Sequence, residues 1–282
     1  EALASASSAV GADTVVCIMT PRKVDGEEPP PMIGAAMRTA DVVLLIAEYT
    51  VSHTDAMIGA VKAGARIVVF HELGQDVFTS EAMTPDYATL DKETGKLAEL
   101  MSKASKARVV TSLGTDISLS IAGRKALSIS GAKAAPTTGL PGGEAAISPV
   151  EGTAEGVIVV DHAVAGIGKL QAPIKVTVKK GKAVAIEGGV DAAKLRDKIA
   201  AADENATNIA EFAIGTNPKS RLLGNVPEDK KRRGTIHIAL GDNHAIGGTV
   251  SSGLHLDMIV LRPTVWLDGK EVVTQGELKP LI

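Results

Sequence analysis

The stretch "DVVLLIAEYTVSHTDAMIGAVKAGARIVVF", residues 41–70, contains three successive structural signals. DVVLLIAE (41–48) is a continuous apolar run, which is typical of a strand buried on both faces. SHTDAMIGAVKAG (52–64) predicts a helix, because Ser52 is a good N-cap and a glycine closes the segment. ARIVVF (65–70) predicts a second buried strand. The order strand, helix, strand indicates a parallel sheet flanked by helices.

Neighbouring segments continue this alternation from residue 1 to about residue 110. EALASASSAV (1–10), PPMIGAAMRTA (30–40) and DKETGKLAELMSKASKA (91–107) predict helices, whereas TVVCIM (14–19) and RVVTSL (108–113) predict strands. The chain starts inside a predicted helix without a methionine, so we expect that the native N-terminus is missing. We therefore predict an N-terminal parallel α/β sheet domain over residues 1–110.

The pattern changes after residue 110. DISLSIAGRKALSISG (116–131) predicts a hairpin with a Gly-Arg turn, and the Gly-, Pro- and Thr-rich segment 131–146 predicts a loop. Short alternating strands follow, interrupted by one predicted helix over 191–203. We predict a second, β-rich domain over residues 111–282, which makes the fold class α/β.

Composition limits the possible functions. Only 2% of the 282 residues are aromatic against 45% hydrophobic, so the core is expected to be aliphatic. Cys17 is the only cysteine, which excludes an intrachain disulfide, and we expect a buried thiol and a cytoplasmic protein. No apolar run reaches transmembrane length, and no membrane association is expected. The basic run EDKKRRG (228–234) has no interleaved aromatic residues, which favours a solvated loop over a nucleic-acid site.

Common cofactor and nucleophile motifs are incomplete. GIGKLQ (166–171) lacks the third glycine of a dinucleotide loop, and HELGQ (71–75) lacks the second histidine of the zinc-helix motif. The sequence contains neither a phosphate loop nor a serine nucleophile elbow.

Five ionisable residues stand instead in apolar segments of the second half. They are Glu144 in LPGGE, Glu211 in NIAEFAIGTNP, His237 in TIHIALG, and His255 and Asp257 in GLHLDMIV. Taken singly, each is compatible with a solvent-facing or hydrogen-bonded residue. Because an unpaired charge in an apolar segment is costly, their coincidence predicts mutual pairing or metal coordination.

The donor types leave two kinds of chemistry open. Two histidines and three carboxylates exceed one tetrahedral zinc site and could hold two divalent ions that activate a water. A subset of two histidines and one carboxylate is the facial triad of non-haem Fe(II) oxygenases.

The series TSLGTDISLSIAGR, LPGGEAAISPVEGTAEG, EFAIGTNP, TIHIALGDNH and GLHLDMIV resembles the aminopeptidase T and aminopeptidase S family, which are leucyl aminopeptidases with the thermophilic metalloprotease-like fold. The resemblance runs from about residue 105 to the end. It implies a homodimer with two divalent ions (Zn, Co or Mn) in the β-rich domain. It assigns the metal ligands to Glu144, Glu211, His237, His255 and Asp257.

Two departures weaken this assignment. The tyrosine that the family has seven residues after its first histidine is His244 here, either a loop residue or a catalytic group. The segment between His237 and His255 is also short. A related, more compact branch resembles 2,5-dihydroxypyridine 5,6-dioxygenase and uses one Fe(II) held by two histidines and an aspartate. His255 and Asp257 match that branch, whereas Glu211 occupies the region of its other histidine.

Three hypotheses follow. The first is an aminopeptidase-like hydrolase that acts on a peptide or related small amide, with Glu144 or Glu211 as proton carrier and Arg124 and Asp116 as substrate contacts. A surface hairpin arginine and a turn-capping aspartate are the ordinary alternatives for the last two. The second hypothesis is an Fe(II)-dependent ring-cleaving dioxygenase that acts on a small aromatic molecule. The third is a metal-stabilised binding protein without activity.

Overall fold

The computed structural model describes residues 1–23, 27–49, 51, 54–71, 74–132 and 137–281. Its helices are α1 (Ala2–Ala9), α2 (Pro31–Thr39), α3 (Asp55–Lys62), α4 (Gln75–Phe78), α5 (Tyr87–Lys103), α6 (Val190–Ala200) and α7 (Val226–Asp229), with 3-10 turns at Glu81–Met83 and His244–Ile246.

The strands are short and mostly in the second half. They are β1 (Val42–Ala47), β2 (Arg66–His71), β3 (Lys106–Val110), β4 (Asp116–Ser120), β5 (Leu127–Ile129), β6 (Thr137–Gly139), β7 (Glu144–Ile147), β8 (Glu155–Val160), β9 (Ala163–Val164), β10 (Gly168–Lys169), β11 (Ile174–Lys179), β12 (Lys182–Glu187), β13 (Ile209–Gly215), β14 (Ile236–Gly241), β15 (His255–Val260), β16 (Thr264–Leu267), β17 (Lys270–Thr274) and β18 (Glu277–Leu278).

The chain divides into two compact units, residues 1–72 with 135–137, and residues 73–134 with 138–282. In the first unit β1 and β2 pair in parallel, with α3 between them in sequence, as predicted. Thr54 caps α3 by accepting a hydrogen bond from the Met57 backbone N–H at 3.2 Å, whereas Ser52 lies outside the described residues.

Two expectations for this first unit are wrong. β1 is buried at Leu45, whereas Ile46 is 62% exposed, so the strand is not covered on both faces. Residues 14–19 form no strand, and Cys17 is exposed rather than buried. An apolar run of this length has strand propensity, but here it pairs with no strand of the described chain.

The second unit contains two antiparallel sheets that share one aliphatic core. Their orders are β10-β9-β15-β14-β13-β7-β5 and β12-β11-β8-β4-β3-β16-β17-β18. Helix α5 also packs into this core through Leu97 and Met101. Because α5 and β3 belong to this unit, the chain divides near residue 72 and not near the predicted boundary at 110.

The predicted hairpin over 116–131 is wrong, because β4 and β5 join different sheets. β4 pairs with β3 and β8, whereas β5 pairs with β7. The alternating pattern correctly indicated strands here, but alternation does not specify which strand becomes the partner.

Side-chain alternation gives the seven-stranded sheet two different faces. Phe212, Ile214, Ile238 and Met258 point into the core shared with the other sheet. Their sequence neighbours therefore point to the outer face, where the five candidate residues are found.

Candidate metal centre

Three adjacent strands bring candidate residues into register on the outer face. Glu211 on β13 and Asp257 on β15 both lie opposite Ala239 of β14. His237, two residues before Ala239, lies opposite Ala213. Because the two alanines between them contribute only methyl groups, the larger polar side chains can converge above the sheet.

The remaining two members lie at strand ends on the same face. His255 starts β15 and pairs with Gly241, and Glu144 starts β7 and pairs with Gly215. The segment before Glu144 requires glycine. A Cβ at Gly143, whose φ is +121°, would lie 2.6 Å from Asn217 Cβ. The loop thus passes close enough to the next strand to direct Glu144 into the cluster.

The five side chains predicted from the sequence do lie together. His237 Nε2 is 3.0 Å from Glu211 Oε1, and His255 Nε2 is 3.3 Å from Glu211 Oε2 and 3.4 Å from Asp257 Oδ1. Within the described part of the chain, Glu211, His255 and Asp257 form a set whose donor atoms all lie within 4.8 Å of one another. Such a set could hold one metal ion.

Hydrogen bonding around His255 supports a cation at this point. Its Nδ1 lies 2.8 Å from the Asp242 carbonyl and donates to it, which directs Nε2 toward two carboxylates. Asp257 Oδ1 and Glu144 Oε2 are buried and have no hydrogen-bond partner among the described residues. Buried polar atoms are rarely left unpaired, so the donor set fits a metal ion.

The charged groups of the cluster shift one another's pKa. Burial lowers the pKa of His255, but the neighbouring carboxylates of Asp257 and Glu211 raise it well above its ordinary value. Burial raises the pKa of Asp257, and the charges of Lys230 and His237 outweigh burial and hold it well below its ordinary value. The carboxylates are therefore ionised at neutral pH, as metal ligands need to be.

Two lysines that the sequence did not single out complete the cluster. Lys230 Nζ lies 2.8 Å from Asp257 Oδ2, and Lys231 Nζ contacts Glu144 Oε1. Lys231 is only 5% exposed, so the prediction of a solvated loop over 228–234 is wrong for these residues. The available signal was electrostatic, since three carboxylates in apolar strands need positive partners.

Residues 22–280 match the model of the NicX family, described as 2,5-dihydroxypyridine 5,6-dioxygenase. The chain belongs to this family. The match confirms the resemblance to the dioxygenase branch. A search of curated proteins found no match.

Solved structures agree on the fold of this NicX-family chain. It is similar to 2,5-dihydroxypyridine dioxygenase from Pseudomonas putida KT2440, with 23% identity, a TM-score of 0.75, and coverage of 87% of this chain and 74% of that one. It is also similar to AmpT from Thermus thermophilus, with 18% identity, a TM-score of 0.64, and coverage of 89% and 79%. The aminopeptidase resemblance is thus supported at the level of fold alone.

Three other predicted residues of the NicX-family chain lie outside the cluster. His244 is exposed, in the loop that supplies the Asp242 carbonyl to His255. Arg124 pairs with Glu151 and donates to the Gly247 carbonyl in that same loop.

Asp116 accepts two hydrogen bonds from Arg108, at 2.9 and 2.8 Å. It lies on the outer face of the eight-stranded sheet, so the core separates it from the cluster. The substrate roles of Asp116 and Arg124 stay predictions. Of the described helices, none is both long and apolar enough to span a membrane.

Proposed function

We propose that this protein is a metal-dependent ring-cleaving dioxygenase that acts on a hydroxylated pyridine. The supporting observation is the set of Glu211, His255 and Asp257 on the outer sheet face of a NicX-family chain. Among the described residues, none forms a hydrogen bond with Asp257 Oδ1. The sequence predicted this function as the alternative to an aminopeptidase-like hydrolase. The NicX family match and the similar dioxygenase structure favour it over aminopeptidase activity.

One Fe(II), held by Glu211, His255 and Asp257 with His237 beside them, would supply the redox chemistry that activates dioxygen. This set contains one histidine and two carboxylates, whereas the facial triad contains two histidines and one carboxylate. For 2,5-dihydroxypyridine, both atoms of one O₂ enter the product and the bond between ring carbons 5 and 6 breaks. Carbon 5 becomes a carboxyl group and carbon 6 an N-formyl group, so the product equals substrate plus O₂. The electrons come from the ring, and no further reductant is needed.

The protein groups around the set can bind the substrate and carry its proton. His255 is the most exposed member, with 37% of its side chain accessible, whereas His237 is fully buried. A substrate therefore approaches from the His255 side. Glu144 Oε2 makes no hydrogen bond with any residue that the structure describes and lies 3.7 Å from His237 Nε2, so it can accept a hydroxyl proton from the substrate.

Oxygen uptake tests this function. The Fe(II)-loaded protein is expected to consume one O₂ per 2,5-dihydroxypyridine lost. Asp257→Asn and His255→Ala are each expected to lower the rate by at least about 100-fold. Mutation of a residue that only hydrogen-bonds to a metal ligand already costs about 10- to 100-fold in metal affinity or activity. Lys175→Gln, a change at an exposed ion pair on the other sheet, serves as the control. Loss of substrate without O₂ consumption would refute the proposal.

A hydrolase is the second candidate, because five donor groups converge where one ion needs three or four. In that case Zn-, Co- or Mn-loaded protein would release N-terminal residues from short peptides without oxygen, by a metal-activated water. Metal binding without turnover of either substrate class would favour the non-enzymatic alternative.

A further inference from the structure

Lys230 and Lys231 each occupy one oxygen of a cluster carboxylate. Lys230 Nζ lies 2.8 Å from Asp257 Oδ2 and 3.9 Å from Glu144 Oε1, the oxygen that Lys231 contacts. The other oxygen of each carboxylate, Asp257 Oδ1 and Glu144 Oε2, makes no hydrogen bond within the described part of the chain. The lysines therefore leave each carboxylate a single oxygen for a metal.

Contacts on both sides of the two lysines fix their position. Asp229 lies 2.7 Å from His162 Nε2 and accepts the Leu223 backbone N–H at 3.0 Å. The Lys231 carbonyl accepts the Asn217 backbone N–H at 2.8 Å. With side chains only 20% and 7% exposed, Lys230 and Lys231 have little freedom to move away when a metal binds.

Side chains that could bind a second ion are present, but they make other contacts. The set within 4.8 Å contains neither Glu144 nor His237, although these two approach each other to 3.7 Å. Glu144 is held by Lys231 instead. Two ammonium groups already offset two of the three carboxylates, so the first divalent ion outweighs the remaining negative charge and a second would add two further buried positive charges.

We propose that Lys230 and Lys231 take the place of a second divalent ion and make this a one-ion site. They act as positioning residues for Asp257 and Glu144. This inference rests on the proposed function only in that the cluster binds a metal.

Manganese binding tests the inference without any turnover. Mn²⁺ is counted by equilibrium dialysis with elemental analysis, and its electron paramagnetic resonance spectrum distinguishes an isolated ion from a spin-coupled pair. The wild type is expected to bind one isolated Mn²⁺ per chain. Lys231→Met is expected to bind two, with a coupled spectrum, because Glu144 is released. Lys231→Arg keeps the charge and is expected to bind one Mn²⁺ per chain. Lys125→Met, at an exposed position, is the control and is also expected to bind one.

Two further variants are needed because Lys231→Met leaves Glu144 buried without its partner, and such a change can prevent folding. Lys230→Met is likewise expected to admit a second ion. The double variant Glu144→Gln/Lys231→Met removes both charges and is expected to fold and bind one ion.

Two ions in the wild type, or one ion in both folded lysine-to-methionine variants, would overturn the inference and leave the oxygen-uptake test untouched. No ion in the wild type would overturn the metal site itself. One ion without oxygen uptake counts against the dioxygenase alone.

Discussion

Glu151 holds a loop beside the candidate metal ligands. Its Oε1 accepts from Asn243 Nδ2 at 2.9 Å and from the Thr249 backbone N–H at 2.8 Å, while Oε2 pairs with Arg124. Burial raises the pKa of Glu151, but the hydrogen bonds and Arg124 lower it to about 2. The same loop contains Asp242, whose carbonyl orients His255.

Glu151→Gln is expected to lower the Tm at pH 7, because the carboxylate is stabilised only in the folded chain. Since its folded pKa is depressed, this stability is present above the unfolded pKa, near 4.5, and is lost as pH falls toward about 2. The Tm difference between wild type and variant should therefore shrink between pH 5 and pH 2. Calorimetry across this range measures it, and a difference independent of pH would contradict the prediction.

The sequence identifies single residues whose polarity is unusual for the segment in which they lie. Glu211, His237 and Asp257 could be selected because each interrupts an apolar strand. The segment of Lys230 and Lys231 does not single them out, because a basic run between a proline and a glycine has the composition of an exposed loop, and only the need of the carboxylates for positive partners pointed to them. Their burial depends on a long-range return of the chain onto β15. The carbonyl of Asp242 carries no sequence signal at all.

The LPGG segment shows how a loop determines the start of a strand. Gly142 and Gly143 pass against Ser130 and Asn217, where an added Cβ would come within 2.1 and 2.6 Å of the nearest atoms. Glu144 follows directly and begins β7 in register with Gly215. The position of this carboxylate therefore depends on the absence of side chains before it.

Gly143→Ala is expected to destabilise the protein by about 1–3 kcal/mol, because an L-residue is strained at this φ and its Cβ meets Asn217. Gly95→Ala is the matched control, since its Cβ meets nothing within 4 Å and α5 should gain about 0.5–1 kcal/mol. Urea unfolding measures both. Equal effects of the two substitutions would contradict this account of the loop.

Element types were predicted better than element partners. The run 41–48 forms a strand parallel to β2, as its composition indicated. β4 and β5 are strands too, but the turn between them carries the chain from one sheet to the other. Local alternation cannot distinguish this from a hairpin, because both arrangements bury the same alternate side chains.

On the scale of the whole molecule, all five cluster residues belong to the second unit. They come from four strands of one sheet, so a bound ion would connect β7, β13, β14 and β15. Glu144 and Asp257 are more than a hundred positions apart in sequence. A metal is therefore expected to stabilise long-range pairing within this unit.

Mn²⁺ at about 100 times its Kd should stabilise the folded state by about 2.7 kcal/mol if it binds only that state. Hydrogen exchange of backbone amides is the measurement. Exchange should slow most in β13, β14 and β15, and a chelator should reverse the effect. Uniform slowing along the whole chain, or none, would argue against a metal site on this sheet face.

Ala213 and Ala239 lie beneath the converging side chains. Both alanines are fully buried, so valine in place of either would add two methyl groups to a crowded position. Overpacking of this kind typically costs about 1–3 kcal/mol. The small size of these two residues therefore limits both the packing of the sheet and the position of the carboxylates and the imidazole above it.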